Sequence, residues 1–237
     1  MRCYLNIGNT HTQILTVGDD GARSLRTVPT AGFDPACLDC EPGHVAAACV
    51  VSEQMAALER AGIRMATPSA ASNLLDFSAV DPSTLGQDRV ANAVWLAAKA
   101  PLPAVVLDFG TCITAEVVDA QKRFLGGAIF PGRALARKAL ALYTSRLPEV
   151  PLASEPPPCP GANTIDAIRT GTDAAAIDAV AGFLRRLGKT LGRTPAVFAC
   201  GGDRAFFLNA PELAGMTDGG DDLTLRGLEI LFPTPAR

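Results

Sequence analysis

Two short turns in this 237-residue chain carry the residue types that handle phosphate. Residues 6–12 read NIGNTHT and residues 108–114 read DFGTCIT, each after one β-type run and before another. The glycines, Gly8 and Gly110, lack the Cβ that would hold backbone N–H groups away from a phosphate, and the Asn or Thr that follows adds donors. A carboxylate where the first strand ends, Asp108 in the second copy, can hold a hydrated cation beside those phosphates. A third glycine turn, Gly201-Gly202, follows an apolar run and suits close backbone approach to a nucleotide base or ribose.

Acid–base chemistry is offered by Gly86-Gln87-Asp88-Arg89, which sets an acid beside a base where a helical pattern begins. The positive end of a helix favours anions, so Asp88 reads as a general base and Arg89 as an anion clamp. The same residues also read as a helix-starting acid with a solvated arginine. His11 and His44 show no partner that would orient a catalytic imidazole and are read as bystanders.

The elements that must position these groups alternate between short β-type runs and longer helical ones, which predicts an α/β fold. Residues 2–7, 13–17, 45–51, 104–108, 114–118 and 196–200 read as strands. Helices are expected over 53–61, from near Asp88 to Pro101, over 133–142 and 223–231, and from Ile165 to Leu187 with an interruption at Thr170-Gly171. The proline-rich stretch 154–163 is expected to be an exposed connection. Two matched strand–turn–strand units, one in each half, predict a duplicated fold.

Composition narrows the function classes. Hydrophobic residues make up 48% and charged residues 19%, which excludes a disordered chain. No apolar run approaches the roughly 20 residues of a membrane crossing and no basic-then-apolar leader opens the chain, so a soluble, cytoplasmic protein without a membrane partner is expected. A net charge of −3 without a basic run argues against nucleic acid as a partner. The seven cysteines read as reduced thiols, and the single C-x-x-C, Cys37 to Cys40, has no second pair with which to build a zinc site.

LNIGNTHTQ, LGQDRVANA, VLDFGTCITAEVVD, FLGGAIFPG, NTIDAIRTG, ACGGD and DLTLRGLEIL follow in the order and near the spacing of type III pantothenate kinases, including the accessory-factor proteins grouped with them. The chain resembles that family over nearly its whole length. The resemblance implies the fold of the acetate kinase, sugar kinase, Hsp70 and actin superfamily: two duplicated ribonuclease-H-like domains, here 1–101 and 102–237, with a nucleotide cleft between them. It implies ATP-dependent phosphorylation of pantothenate, the first step of coenzyme A synthesis, with Mg²⁺ and a monovalent cation, K⁺ or NH₄⁺, in a homodimer. Asn6, Gly8, Asn9, Thr10, His11, Thr12 and Gln13 would form the phosphate-binding hairpin. Gly86, Gln87, Asp88 and Arg89 would hold pantothenate, with Asp88 the base and Arg89 on the substrate carboxylate. Asp108 matches the monovalent-cation ligand, Thr111 an ATP contact, and Thr164 a pantothenate contact near the dimer interface.

Three positions depart from the family pattern. Asn6 stands where the family has Asp, and an amide has no charge with which to hold hydrated Mg²⁺. Losing one such contact costs on the order of 100- to 1,000-fold in rate. FSAVDPSTLG lacks the tyrosine that the family places ahead of the proline, with Phe77 the nearest aromatic, and Cys112 replaces a common alanine. These departures leave three readings open: an active pantothenate kinase, a catalytically weak paralogue with a nucleotide-binding or regulatory role, and a kinase of the same fold acting on another small alcohol or acid.

Overall fold

One strand order occurs twice. The computed structural model describes residues 1–38 and 40–233. In chain order the first elements are Arg2–Ile7 (β1), His11–Val17 (β2), Arg23–Pro29 (β3), Val45–Cys49 (β4), Ser52–Arg60 (α1), Arg64–Met65 (β5), Pro68–Ala71 (α2) and Gln87–Lys99 (α3). Then come Ala104–Phe109 (β6), Cys112–Val118 (β7), Phe124–Pro131 (β8), Arg133–Tyr143 (α4), Thr164–Arg169 (α5), Ala175–Leu191 (α6), Ala196–Cys200 (β9), Arg204–Leu208 (α7), Thr217–Gly220 (β10) and Leu223–Leu231 (α8). The sheets are ordered β3-β2-β1-β4-β5 and β10-β9-β6-β7-β8. Numbered within its own half and read from the matching edge, each sheet runs third, second, first, fourth, fifth.

Pairing follows the connections. β1, β2 and β3 form an antiparallel meander, while β4 lies parallel to β1 and β5 parallel to β4. In the second sheet β9 is parallel to β6 and β10 parallel to β9. Parallel neighbours need long crossovers, which the helices supply. The duplication expected from the two turns is thus a property of whole sheets.

The chain divides into two compact units. One comprises Met1–Leu102, Glu116–Gly126 and the stretch from Asp222 onward; the other comprises Pro103–Ala115 and Gly127–Asp221. The breaks at 115/116 and 126/127 divide β7 and β8, and α8 returns to the first unit. The return is fixed by packing. Gly227 of α8 rests on the Ala91 carbonyl of α3, and a Cβ at Gly227 would collide with it.

The core of the first unit gathers Cys3, Leu5, Ile7 and Ile14 of the hairpin with Val45, Ala47 and Cys49 of β4, closed by Leu58 and Met65. Strand β4, VAAAC, is buried along its full length, as its continuous apolar run requires. Val90 to Ala97 of α3 are all buried, and the helix stops at Ala100 before Pro101. In the second unit Phe109 stacks on Phe207 with ring centres 4.0 Å apart.

The interruption expected at Thr170-Gly171 is a π-helical segment, Thr170–Ala174, between α5 and α6. Helix α6 ends at Gly192, whose φ of +67° is the left-handed cap that glycine favours. Residues 154–163 form neither helix nor strand, as their prolines require. Strands β3, β5, β8 and β10 have no counterpart in the sequence expectations. β3 is exposed along most of its length, so its sequence, RSLRTVP, carries no apolar stripe to announce it.

Candidate active site

The first turn of α3 is built around its glycine. Gly86 caps the helix in an extended conformation, and a Cβ there would lie 2.8 Å from Asp88 Oδ1. The glycine therefore leaves room for the carboxylate at the helix N-terminus. Asp88 Oδ1 accepts the Arg89 N–H at 2.8 Å. Burial pushes the Asp88 carboxyl above its usual range, opposed by that hydrogen bond and by the Arg89 charge. A carboxylate so raised is a better proton acceptor than a solvated one.

Gln87 anchors this turn. Its side chain is buried, and Oε1 accepts the backbone N–H of Cys49 at 3.0 Å. The Gln87 side-chain oxygen is therefore engaged with the end of β4. Arg89 donates from Nε to Glu116 Oε1 at 3.0 Å, and Glu116 on β7 is fully buried. The Arg89 guanidinium lies 6.0 Å from the centre of the Phe124 ring, which itself meets Phe77 at 5.8 Å. Glu116, which the sequence analysis did not single out, joins the candidate site through Arg89. Its signal was present, a single acid inside the otherwise apolar run AEVV.

The N-terminal hairpin reaches the same sheet edge. Asn6 and Ile7 pair with Ala48 and Cys49 of β4, and Val50 N–H donates to the Ile7 carbonyl at 3.1 Å. Cys49 in turn holds Gln87, so the glycine turn and the start of α3 share the carboxyl ends of the parallel strands β1 and β4. That is where open α/β sheets bind ligands. Within residues 8–11 the Gly8 N–H donates to the His11 carbonyl at 3.1 Å, leaving Asn9, Thr10 and His11 exposed at the tip. Thr12 is buried against Thr30 (Oγ1 to Oγ1 3.0 Å), and Thr30 donates to the Gly8 carbonyl at 2.7 Å. Thr12 braces the turn from beneath. Asn6 donates from Nδ2 to Gln13 Oε1 at 3.3 Å.

Beside these residues the first unit contains a cavity of about 1150 Å³, lined among others by Val50, Thr67, Ser72, Phe77, Gly86 and Gln87. Its lining is largely apolar, with serines and threonines at intervals.

The second unit repeats the device with a tighter turn. Gly110 N–H donates to the Cys112 carbonyl at 3.0 Å, one residue sooner than in the first hairpin. The two sequences therefore match up to the glycine and diverge after it. Asp108 pairs with Cys200 across β6 and β9, which puts Gly201-Gly202 beside the Asp108 end of the turn. Gly201 has φ +87°, and a Cβ there would collide with the Asp108 carboxylate and the Phe109 backbone. Gly132 N–H donates to the Thr111 carbonyl at 3.1 Å, and Asp203 N–H to the Phe109 carbonyl at 2.9 Å.

A buried charge network braces this end of the second unit. Arg133 grips the Asp203 carboxylate through Nε at 2.8 Å and a terminal nitrogen at 2.5 Å, and it lies 3.3 Å from Asp173. Arg137 holds both oxygens of Asp173 at 2.7 Å. The guanidinium carbon of Arg133 also lies 3.4 Å from the centre of the Phe206 ring.

Thr164 opens α5 in this second unit and is exposed, with Asn163 capping the helix through the Asp166 N–H at 3.0 Å. The expected site residues thus fall into two groups. Asn6 to Gln13 and Gly86 to Arg89 lie in the first unit; Asp108, Thr111 and Thr164 lie in the second.

Among the described residues no three His, Cys, Asp or Glu side chains cluster as a metal site. All seven cysteines are free thiols. Cys40 of the C-x-x-C is pushed up to about 11 by burial and by the neighbouring Cys3 thiol, the opposite of a reactive thiolate.

Comparison with solved structures defines the class. The fold matches a Baf family protein from Campylobacter jejuni with a TM-score of 0.62 at 21% identity, covering 97% of this chain and 96% of that one. It matches a protein described as a 2-dehydro-3-deoxygalactonokinase from Sinorhizobium meliloti at TM-score 0.56 and 16% identity, covering 100% and 99%. These likenesses show the fold, the duplicated ribonuclease-H-like architecture of the sugar kinases and actin-like ATPases.

The family follows from sequence. A family model for type III pantothenate kinase matches residues 4–186. The type III pantothenate kinase of Desulforapulum autotrophicum is 34% identical over 168 residues, 71% of this chain and 63% of that protein. The one from Anaeromyxobacter sp. (strain Fw109-5) is 30% identical over 98% of this chain and 90% of its own length. The chain belongs to the type III pantothenate kinase family. It spans just under two thirds of the Desulforapulum protein and 58% of its relative from Anaeromyxobacter sp. (strain K).

Proposed function

We propose that this chain transfers the γ-phosphoryl group of ATP to the primary hydroxyl of pantothenate, giving 4′-phosphopantothenate. The observation that carries the reading is the Asp88 carboxyl, raised by burial at the N-terminus of α3 and set at the same sheet edge as the Gly8 turn. Phosphoryl transfer through a loose transition state depends mostly on positioning and charge neutralisation. The hydroxyl proton departs late, and Asp88 is the group that takes it. Arg89 binds the pantothenate carboxylate. The backbone of residues 8–11 binds the phosphates, and the family resemblance assigns Thr111 an ATP contact.

Mg²⁺ bound with ATP would neutralise charge on the phosphates. The donors present suit an ion that arrives with the nucleotide, because Mg²⁺ is commonly held by one or two carboxylates plus substrate phosphates. Asn6 adds no charge there, and Asp108 is the carboxylate of the matched turns. The family resemblance assigns Asp108 to a monovalent cation, K⁺ or NH₄⁺. A homodimer is supported by apolar side chains left exposed on the second unit, Leu142 at 69%, Tyr143 at 83% and Ile165 beside Thr164 at 51%. Free thiols throughout agree with a cytoplasmic setting.

The test is direct. Purified protein with ATP, Mg²⁺, pantothenate and K⁺ or NH₄⁺ is expected to form ADP and phosphopantothenate, and no product at saturating substrates would overturn the reading. One observation favours a second reading, a weak or inactive paralogue: the Asn6 amide donates to Gln13 where the family has a carboxylate. An Asn6→Asp variant that gains at least tenfold in kcat supports a weakened kinase. One that binds ATP and gains nothing supports the regulatory role.

A further inference from the structure

Beneath Arg89 runs a chain of buried polar side chains drawn from three elements of the first unit. Thr224 on α8 donates from Oγ1 to Asn92 Oδ1 at 2.8 Å. Asn92 on α3 donates from Nδ2 to Glu116 Oε2 at 3.2 Å. Glu116 on β7 accepts Arg89 Nε on its other oxygen at 3.0 Å. Thr224 and Asn92 are 4% and 1% exposed and Glu116 is 0% exposed, whereas the Arg89 side chain is 17% exposed. The donors converge on the acid: Thr224 and Asn92 donate toward Glu116 from the back of the unit, and Arg89 donates to it from the surface.

We propose that Glu116, held by Asn92 and Thr224, is the positioning residue that aims Arg89 at the acceptor's carboxylate. This rests on the reading of Arg89 as the substrate clamp. A buried carboxylate is costly unless paired and hydrogen-bonded on both oxygens, and Glu116 meets that condition here. By engaging Nε it fixes the plane of the guanidinium, the geometry needed for paired hydrogen bonds to a carboxylate. Mere neutralisation of an arginine would not call for an amide and a hydroxyl ordered behind the acid. Glu116 touches neither substrate in this account and acts through Arg89 alone.

The experiment compares Glu116→Gln, Thr224→Val and Arg89→Lys with the wild type on two acceptors: pantothenate and its alcohol analogue, in which a hydroxymethyl group replaces the carboxylate. KM and kcat are read by product formation and acceptor Kd by calorimetry. Glu116→Gln is expected to raise the pantothenate KM and Kd about tenfold, the scale of a charge-assisted hydrogen bond, with kcat within about twofold and the ATP KM and alcohol Kd unchanged. Thr224→Val, which alters only the far end of the chain, is expected to move the same constant in the same direction by about twofold to fourfold. Equal weakening of both acceptors, a shift in the ATP KM, or no change in any constant would overturn the positioning role. If Arg89→Lys leaves pantothenate binding intact, the reading of Arg89 itself fails, and that failure is visible without Glu116.

Discussion

The side-chain oxygen of Gln87 accepts the backbone N–H of Cys49 at 3.0 Å, fastening the first turn of α3 to the end of β4. Asp88 follows Gln87, so this bond sets where the carboxylate stands relative to the hairpin. Gln87→Ala would leave a buried N–H without its acceptor, at a cost of about 1–3 kcal/mol. A lower melting temperature and a reduced kcat are expected together, and Gln87→Glu, which keeps an acceptor, is expected to lose less of both. Thermal melts paired with steady-state rates check this.

The raised Asp88 carboxyl has consequences of two kinds. As the base it must be ionised, so kcat/KM is expected to fall as pH drops through a value above the ordinary 3.8 of aspartate. Asp88→Asn is expected to lose about 100- to 10,000-fold in kcat while remaining folded. The pH–rate profile of the wild type and single-turnover rates of the variant check both.

Stability runs the other way. The folded chain holds the Asp88 proton more tightly than the unfolded chain, so the contribution of this group is fully present below 3.8 and lost as pH rises through the folded value. An amide keeps the acceptor for the Arg89 N–H without the charge. Asp88→Asn is therefore expected to melt higher than the wild type at pH 7, with the gap closing as pH falls to the unfolded value. Parallel melts across pH measure it.

Some of this was legible in the residues and some was not. NIGNTHT and DFGTCIT announced both hairpins because glycine beside small polar residues between apolar runs has few other uses. The start of α3 was legible from Gly86 and the apolar spacing after it. Strand β3 was not, since an exposed strand shows no alternation, and neither was the return of α8, which depends on the absent Cβ of Gly227. Glu116 stayed hidden because its partners, Arg89, Asn92 and Thr224, are brought together only by packing of α3, β7 and α8. The extra residue in the first turn was invisible too, because it changes only which carbonyl the glycine N–H reaches.

Gly227 offers a sharp test of that packing. Gly227→Ala forces a methyl group into the Ala91 carbonyl, and overpacking of this kind costs about 1–3 kcal/mol. Urea unfolding is expected to show a lower midpoint, and an unchanged midpoint would contradict the close approach of α8 to α3.

In the second unit Arg137 and Asp173 are buried ion partners, and removing one leaves the other charge without water. Arg137→Met is expected to cost about 3–5 kcal/mol, moderated by Arg133 at 3.3 Å from the same carboxylate. Replacing Arg137 and Asp173 together by apolar residues is expected to recover much of that loss. Denaturant titration of the single and double variants decides it.

The central claim, that this chain phosphorylates pantothenate with Asp88 as base, is tested most directly by mass spectrometry of the reaction mixture. Wild-type protein with ATP, Mg²⁺ and pantothenate is expected to yield 4′-phosphopantothenate and ADP in equal amounts, and Asp88→Asn at least about 100-fold less of both over the same interval. Equal product from the two proteins, or ADP without phosphopantothenate from the wild type, would contradict it.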